Sequence, residues 1–502
     1  MDFLYSSTTI WLSILIILGF IYVKRKYSYW QRHGIQFVKP NFPAGNLCAL
    51  RQTEHLSQLL AKFYSERKNG APMLGLYFFL SPVLLINDLN LIRNIFIKDF
   101  HYFWSRGSFY NEKHDPLSAN LFNLDYEKWR PLRSKLTPTF SSAKMKIMFN
   151  NTIAVANEFV DCLNRDIELN GEADVHEWFC RFTTDVIGAC TLGIDCNSLR
   201  DPHSKFREIG KKTFEEPKLS SFQRTLVTSN TNLARFMRVR AHHKDVTDFF
   251  LKIVKETIEY RENNNVKRND LMSLLIDLKN AQTDADRLTI LEIAAQAFVF
   301  FLAGFEASST TLTYCLYELA LEENKHIQDK ARAEINKILE KYDGNLTYEA
   351  INEMTYIDQC IYESIRKHPL AASIARMATN DYKVPNSNYT IPKGMLVFIP
   401  TYAIYRDPEI YENPDVFEPD RFAPDQVKKR PSQSFLPFGD GPRKCIGLRF
   451  GMLQARIGVV KLLQNFELST CSRTQIPIKY SPKKLFLEPE NGTWLKITKI
   501  EN

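Results

Sequence analysis

The sequence predicts one large compact unit carried behind a single N-terminal membrane-spanning helix. Three observations lead there. The chain opens on an apolar run that gives way abruptly to basic residues, and residues 45–500 contain neither a Gly/Ser or Pro-rich linker nor an internal repeat. One internal stretch, Leu288 to Ala320, is dominated by Leu, Ile, Ala, Phe and Val without proline, the pattern of a long buried helix. Length alone, 502 residues, would suggest roughly two to four domains; the missing linkers argue for one.

From Phe3 to Val23 the chain runs through 21 uncharged residues, close to the roughly 20 that a bilayer core requires. A cleaved signal peptide would carry basic residues before the apolar run and a small-x-small site after it. Here Asp2 precedes and Lys24-Arg25-Lys26 follows, which places the residues after 24 on the cytosolic side. Residues 1–26 are therefore expected as an anchor. Residues 27–46, with Pro40 and Pro43, are expected as a basic, proline-rich hinge.

Nine cysteines, an odd number without clustered spacing, speak against a disulfide framework and for free thiols in a reducing compartment. The net charge of +8 comes without basic–aromatic alternation, so nucleic acid is not an expected partner.

One cysteine stands in a patterned loop. Phe438, Gly441, Arg443, Cys445 and Gly447 fit Phe-x-x-Gly-x-Arg-x-Cys-x-Gly and lead into a helix. Each position has a task if Cys445 ligates a haem iron. Gly441 and Gly447 let the backbone turn and pass close to a flat macrocycle. The helix N-terminus favours the thiolate. Arg443 is placed for a propionate, and Phe438 covers the sulfur. The plainer alternative is a buried thiol in a turn, but five spaced positions seldom match together.

This loop resembles the haem-binding signature of cytochrome P-450 haem-thiolate monooxygenases. The resemblance implies a mainly α fold with a small β region, the P-450 fold, preceded by the transmembrane helix, with residues 47–502 as the catalytic domain. It implies haem b with the Cys445 thiolate as axial metal ligand, O2, and electrons from NADPH through NADPH-cytochrome reductase, with cytochrome b5 as a further partner. It also implies a cytosol-facing location on the endoplasmic reticulum membrane. Segments such as 111–118, 136–140 and 182–188 look like the insect detoxifying branch, family six, of the microsomal enzymes. That suggests oxidation of foreign lipophilic compounds or endogenous lipids.

Within the long helix, Ala303-Gly304-Phe305-Glu306-Ala307-Ser308 resembles the family's oxygen-binding groove. By that resemblance, small residues at 303 and 304 open space above the iron and Glu306 relays protons. Ala307 stands where threonine is usual, so the hydroxyl that assists oxygen protonation is missing. Ser308 is turned about 100° away around the helix.

Glu363, Arg366 and Arg421 match the family's Glu–Arg–Arg cluster, a structural element beneath the haem. Trp129 and Arg133, four apart on one helical face, match its propionate-binding Trp-x-x-x-Arg, and Arg376 occupies the place of a further propionate contact. The substrate pocket is expected from stretches 105–122, 205–225, 298–308, 370–376 and 485–492, with Phe109, Phe122, Phe298, Ala303, Phe305, Ile374 and Phe486 as linings. Lys128, Arg130, Lys135, Lys144, Lys428, Lys429, Arg430, Lys444 and Arg449 form an expected basic face for an acidic electron donor. Two readings compete with a monooxygenase: a haem-thiolate isomerase or dehydratase needing no donor, and a haem protein that only sequesters lipophilic ligands.

Overall fold

A computed structural model of the chain describes residues 2–50, 53–67, 70–216, 218–283, 286–371, 373–484 and 486–500. Positions 217, 372 and 485 of the expected pocket stretches lie outside the described residues. The main helices are α1 (Asp2–Tyr27), α2 (Leu56–Ser65), α3 (Tyr126–Leu136), α4 (Ser142–Asn170), α5 (Val175–Ile187), α6 (Lys205–Glu215), α7 (Lys244–Asn263), α8 (Ile290–Ala320), α9 (Lys325–Lys341), α10 (Thr355–Lys367) and α11 (Leu448–Asn465). The main strands are β1 (Met73–Phe78), β2 (Ser81–Ile86), β3 (Glu172–Asp174), β4 (Ile374–Met377), β5 (Leu396–Ile399), β6 (Phe466–Ser469) and β7 (Trp494–Lys499). The fold is mainly helical with little sheet, as the sequence leads one to expect. Its contacts divide it into two compact units, residues 1–107 with 372–404, and residues 108–371 with 405–502.

The first unit is built on a four-stranded sheet of order β1-β2-β5-β4. β2 pairs antiparallel with β1 and parallel with β5, with Leu84 opposite Val397. The two central strands read Ser-Pro-Val-Leu-Leu-Ile and Leu-Val-Phe-Ile, nearly continuous apolar runs suited to burial on both faces. Residues 27–46 are tied to β1. The Trp30 indole is fully buried and donates to the Leu76 carbonyl at 2.9 Å. It occupies space that only glycine leaves, because a Cβ on Gly75 would lie 2.5 Å from the ring. α1, in contrast, leaves Ile10 to Tyr22 largely exposed.

The second unit is organised around α8. Thr289 and Glu292 form a reciprocal capping box at its start, and 31 residues follow without proline, a length of about 46 Å at 1.5 Å per residue. α1 and α8 are both long and apolar enough to cross a membrane, but α8 is mostly buried inside its unit while none of the α1 span is. α8 crosses α5 closely at Gly304, where a Cβ would stand 2.2 Å from the Ile187 Cδ1 atom. Gly304 therefore serves helix packing, and the sequence-based expectation that it opens space beside Ala303 does not match its position.

Glu363 and Arg366 of α10 are fully buried and joined by two hydrogen bonds, Nε to Oε2 at 2.7 Å and Nη2 to Oε1 at 2.9 Å. Glu363 also accepts the Glu418 amide at 3.0 Å and meets Arg421 Nε at 3.4 Å, while Arg366 donates to the Tyr405 carbonyl at 2.9 Å. The cluster thus ties α10 to the segment 405–421. A charge pair this deep stabilises only while both partners are present. Arg366→Ala is expected to cost about 3–5 kcal/mol, because it strands a buried carboxylate. A denaturant titration should show a lower midpoint for that variant and partial recovery in Glu363→Met/Arg366→Leu.

Candidate active site

The cysteine loop is closed by a hydrogen bond from the Cys445 amide to the Phe438 carbonyl at 2.9 Å. Gly439 and Gly441 both take φ of +68°, the left-handed region that glycine adopts without strain. Gly447 has φ −89° and caps α11 without a side-chain hydrogen bond. The tight turning expected of Gly441 and Gly447 is thus done by Gly439 and Gly441. Phe438 is half-buried, and Cys445 is exposed in contrast to the buried cysteines at 162, 180, 190, 196, 315 and 360. No disulfide joins any of the nine cysteines.

α3 brings its functional side chains to this loop. Arg133 Nη2 donates to the Lys444 carbonyl at 2.9 Å. Burial lowers the Arg133 pKa, and the charge of the neighbouring Cys445 opposes that shift. The Arg443 guanidinium lies 4.3 Å from the Trp129 ring centroid, a cation–π contact. It also donates to the carbonyls of Leu124 at 2.7 Å and Phe122 at 3.3 Å. Trp129, Arg133, Arg443 and Cys445, widely spaced in sequence, therefore share one locality. Arg376 lies in the first unit on β4, fully buried, with its guanidinium 4.7 Å from the Phe96 ring centroid.

α8, in the same unit as Cys445, is open along one strip. Ala303 is exposed and Ala307 and Thr311 are half-buried, at i, i+4 and i+8 of a helix that beyond its first turn is otherwise buried except at the half-buried Val299, Leu302 and Gly304. Thr311 turns its hydroxyl back onto the Ala307 carbonyl at 2.8 Å. Ser308 is buried on another face. Glu306 is not on the open strip. It is buried beside α5, with His176 Nε2 at 4.0 Å from its Oε1. Burial above all, with Glu488 adding to it, pushes the Glu306 carboxyl up to about 8, against the pull of His176 and Arg207. His176 and Glu488 escaped the sequence reading, since an isolated His and an isolated Glu carry no pattern.

The expected aromatic linings fall into two groups. Phe298 and Phe305 are buried and belong to a chain of rings. Phe250 meets Phe298 at 5.1 Å and Phe301 at 5.6 Å, Phe301 meets Phe305 at 6.0 Å, and Phe214 links Phe305 to Phe486 at 6.0 and 5.6 Å. Phe122, by contrast, is half exposed, Phe109 packs against the cluster of Leu226, Val227, Ala234 and Val239, and Ile374 lies on β4 in the first unit. Of the expected basic face, Lys128 pairs with Glu112 at 2.7 Å and Lys135 with Asp286 at 3.1 Å. Arg430 stacks on Tyr411 and Phe422. Lys444 and Arg449 are exposed.

A family model described as Cytochrome P450 matches residues 37–496. The chain belongs to the cytochrome P450 family. Among its relatives, Cytochrome P450 6A1 of Musca domestica is 41% identical, with 97% of each chain covered. Cytochrome P450 6a2 and 6a8 of Drosophila melanogaster are 44% and 43% identical over 97% of this chain and 98% of theirs. The protein is thus a P450 monooxygenase, of a family that carries haem iron on a thiolate and works with a redox partner and a lipophilic substrate. The residues present fit such a group: an accessible thiol, an indole and two guanidiniums in one locality, and an open strip of small side chains on α8.

The Glu306 environment has a consequence for stability. Its ordinary carboxyl value is 4.5 and the folded value is about 8. Between those limits the unfolded chain loses the proton while the folded chain keeps it, so this contribution is complete below pH 4.5 and is lost as pH rises to 8. The slope is about 1.4 kcal/mol per pH unit. Denaturant titrations at several pH values should show a shallower fall in stability between pH 5 and 8 for Glu306→Gln than for the parent chain.

Proposed function

We propose that the Cys445 thiolate is the axial ligand of haem b and that the enzyme inserts one atom of O2 into a lipophilic substrate bound beside the open strip of α8. The observation that carries this reading is the meeting of the exposed Cys445 thiol with Trp129, Arg133 and Arg443. These residues are suited to a dianionic macrocycle: the Trp129 N–H and the two guanidiniums would supply donors for its carboxylates. Bound there, a haem with thiolate ligation supplies the electron push that favours O–O cleavage. Phe438 shields the sulfur. Ala303 and Ala307 leave room for oxygen and substrate, and Glu306 holds the proton that Ala307 has no hydroxyl to pass. The phenylalanine chain from Phe298 to Phe486 favours an apolar occupant, selected by shape more than by fixed polar contacts.

α1 in this reading is the anchor, residues 1–26, holding the catalytic domain, residues 47–502, on the cytosolic face of the endoplasmic reticulum; residues 27–46 connect them. Electrons come from NADPH through NADPH-cytochrome reductase, with cytochrome b5 as a second donor. Exposed Lys444 and Arg449, next to Cys445 in sequence, are the side chains best placed to receive an acidic donor surface. Substrates are foreign lipophilic compounds or endogenous lipids. Ala307 itself favours a second reading, a haem-thiolate isomerase or dehydratase that needs no donor.

The reduced protein with carbon monoxide should show the strongly red-shifted Soret band of a thiolate haem, and Cys445→Ala should abolish it. A histidine-type band would overturn the assignment. Product formation that depends on NADPH and reductase supports the monooxygenase, whereas conversion of a lipid hydroperoxide without donor selects the second reading. Ala307→Thr should raise the fraction of electrons recovered in product over peroxide; unchanged coupling would mean that the site has no need of that hydroxyl.

A further inference from the structure

Two carboxylates and an imidazole converge beneath the groove face of α8 from three separate parts of the chain. Glu306 comes from α8, His176 from the first turn of α5, and Glu488 from the segment preceding β7. One ligand atom from each lies within 4.8 Å of the others. Glu306 is 5% and Glu488 4% exposed. Glu488 Oε2 meets Lys484 at 3.4 Å, while its Oε1 is buried with no hydrogen-bond partner. Two carboxylates this close and this dry cannot both ionise cheaply, and one proton between them removes the repulsion.

The surrounding groups admit a proton better than a divalent cation. From α6, Arg207 already contributes a positive charge, although it is engaged with Glu177 at 2.6 Å. From α5, Arg181 pairs with the same Glu177 at 3.0 Å, and the Cys180 sulfur lies 3.8 Å from His176 Nε2. Burial pushes the Cys180 thiol up to about 12, so it stays neutral. Lys484 supplies a further ammonium from the side of Glu488. Another two positive charges would face Arg207 and Lys484 directly. Of the three clustered side chains His176 is the most exposed, with 18% of its side chain open to solvent, and its two ring nitrogens let an imidazole take a proton on one side and release one on the other.

We propose that Glu306, Glu488 and His176 hold one shared proton, and that His176 is its point of entry from solvent, making the cluster the proton reserve of the α8 groove. The inference rests on the reading of Glu306 as the acid of that groove and adds two positioning residues to it. It bears directly on Ala307. With no hydroxyl at that position, the supply of protons falls to the side chain one residue earlier and to whatever recharges it.

The test uses the full-length, haem-loaded enzyme and infrared difference spectra recorded between pH 6 and pH 9. A protonated carboxylic acid gives a C=O stretch separate from the amide bands. One such band is expected, titrating with a midpoint near pH 8 and absent from Glu306→Gln. In Glu488→Gln the midpoint should fall by about one pH unit, because a like charge has been removed. In His176→Phe the isotope shift of the band after transfer to D2O should slow by about tenfold or more. Absence of the band, a midpoint unmoved by Glu488→Gln, or unchanged deuteration in His176→Phe would overturn the proposal. So would loss of the band on adding one equivalent of Zn2+, which would make the cluster a cation site. The carbon monoxide spectrum reports on Cys445 independently, so failure of the proton reserve and failure of the haem assignment are distinguishable. If Glu306→Gln does not fold, Glu488→Gln and His176→Phe still decide the matter.

Discussion

The second unit depends on burying α8, a 31-residue helix too apolar to face water and interrupted near its middle by an acid. Covering it takes several neighbours: α5 at the Gly304–Ile187 approach, α11 where Gly458 admits Leu312, and α10. The price is that Glu306 must enter the interior with the rest of the helix. A carboxyl group there is tolerated by keeping its proton and by placing His176 and Arg207 nearby. One strip, Ala303, Ala307 and Thr311, is less covered, and the proposed substrate site lies beside it.

The buried charges divide into two kinds. Glu363 and Arg366 satisfy one another, with the Glu418 amide and the Tyr405 carbonyl using remaining hydrogen-bonding capacity; such a cluster locks a segment in place. Glu306 has only His176 Nε2 at 4.0 Å as an ion-pair contact, and one oxygen of Glu488 is buried with no hydrogen-bond partner. Burial above all raises the Glu306 carboxyl, so of the two clusters this is the one whose charge is not locked by a full set of partners. The contrast separates scaffold from chemistry more reliably than charge or burial alone.

Much of this was legible in the sequence because it depends on short-range spacing. Helix α8, the loop around Cys445 and the i, i+3 pair Glu363–Arg366 each follow from local periodicity or a fixed pattern. Where the sequence reading went astray, the cause was long-range packing. Gly304 looked like a spacer beside the iron, yet it is the point where α5 touches α8. Gly447 looked like a turn residue, yet the left-handed positions are Gly439 and Gly441. Arg430 read as part of a surface patch, yet it stacks on Tyr411 and Phe422. Direction around a helix axis depends on what the neighbouring elements offer, and no local pattern encodes that.

By itself the sequence determined a resemblance to haem-thiolate enzymes, carried by the cysteine loop and the 303–308 stretch, with oxygenation the leading reading beside an isomerase or dehydratase and a ligand-sequestering protein. It also determined the exception, since Ala307 carries no hydroxyl in any conformation. Only the tertiary structure decided where Glu306 points and which residues it meets. His176, Glu306 and Glu488 are separated by 130 and 182 positions in the chain, and their meeting follows from how α5 and the segment before β7 pack on α8. A proton's position is governed by distances of a few ångströms and by the exclusion of water, and those exist only once the chain is folded.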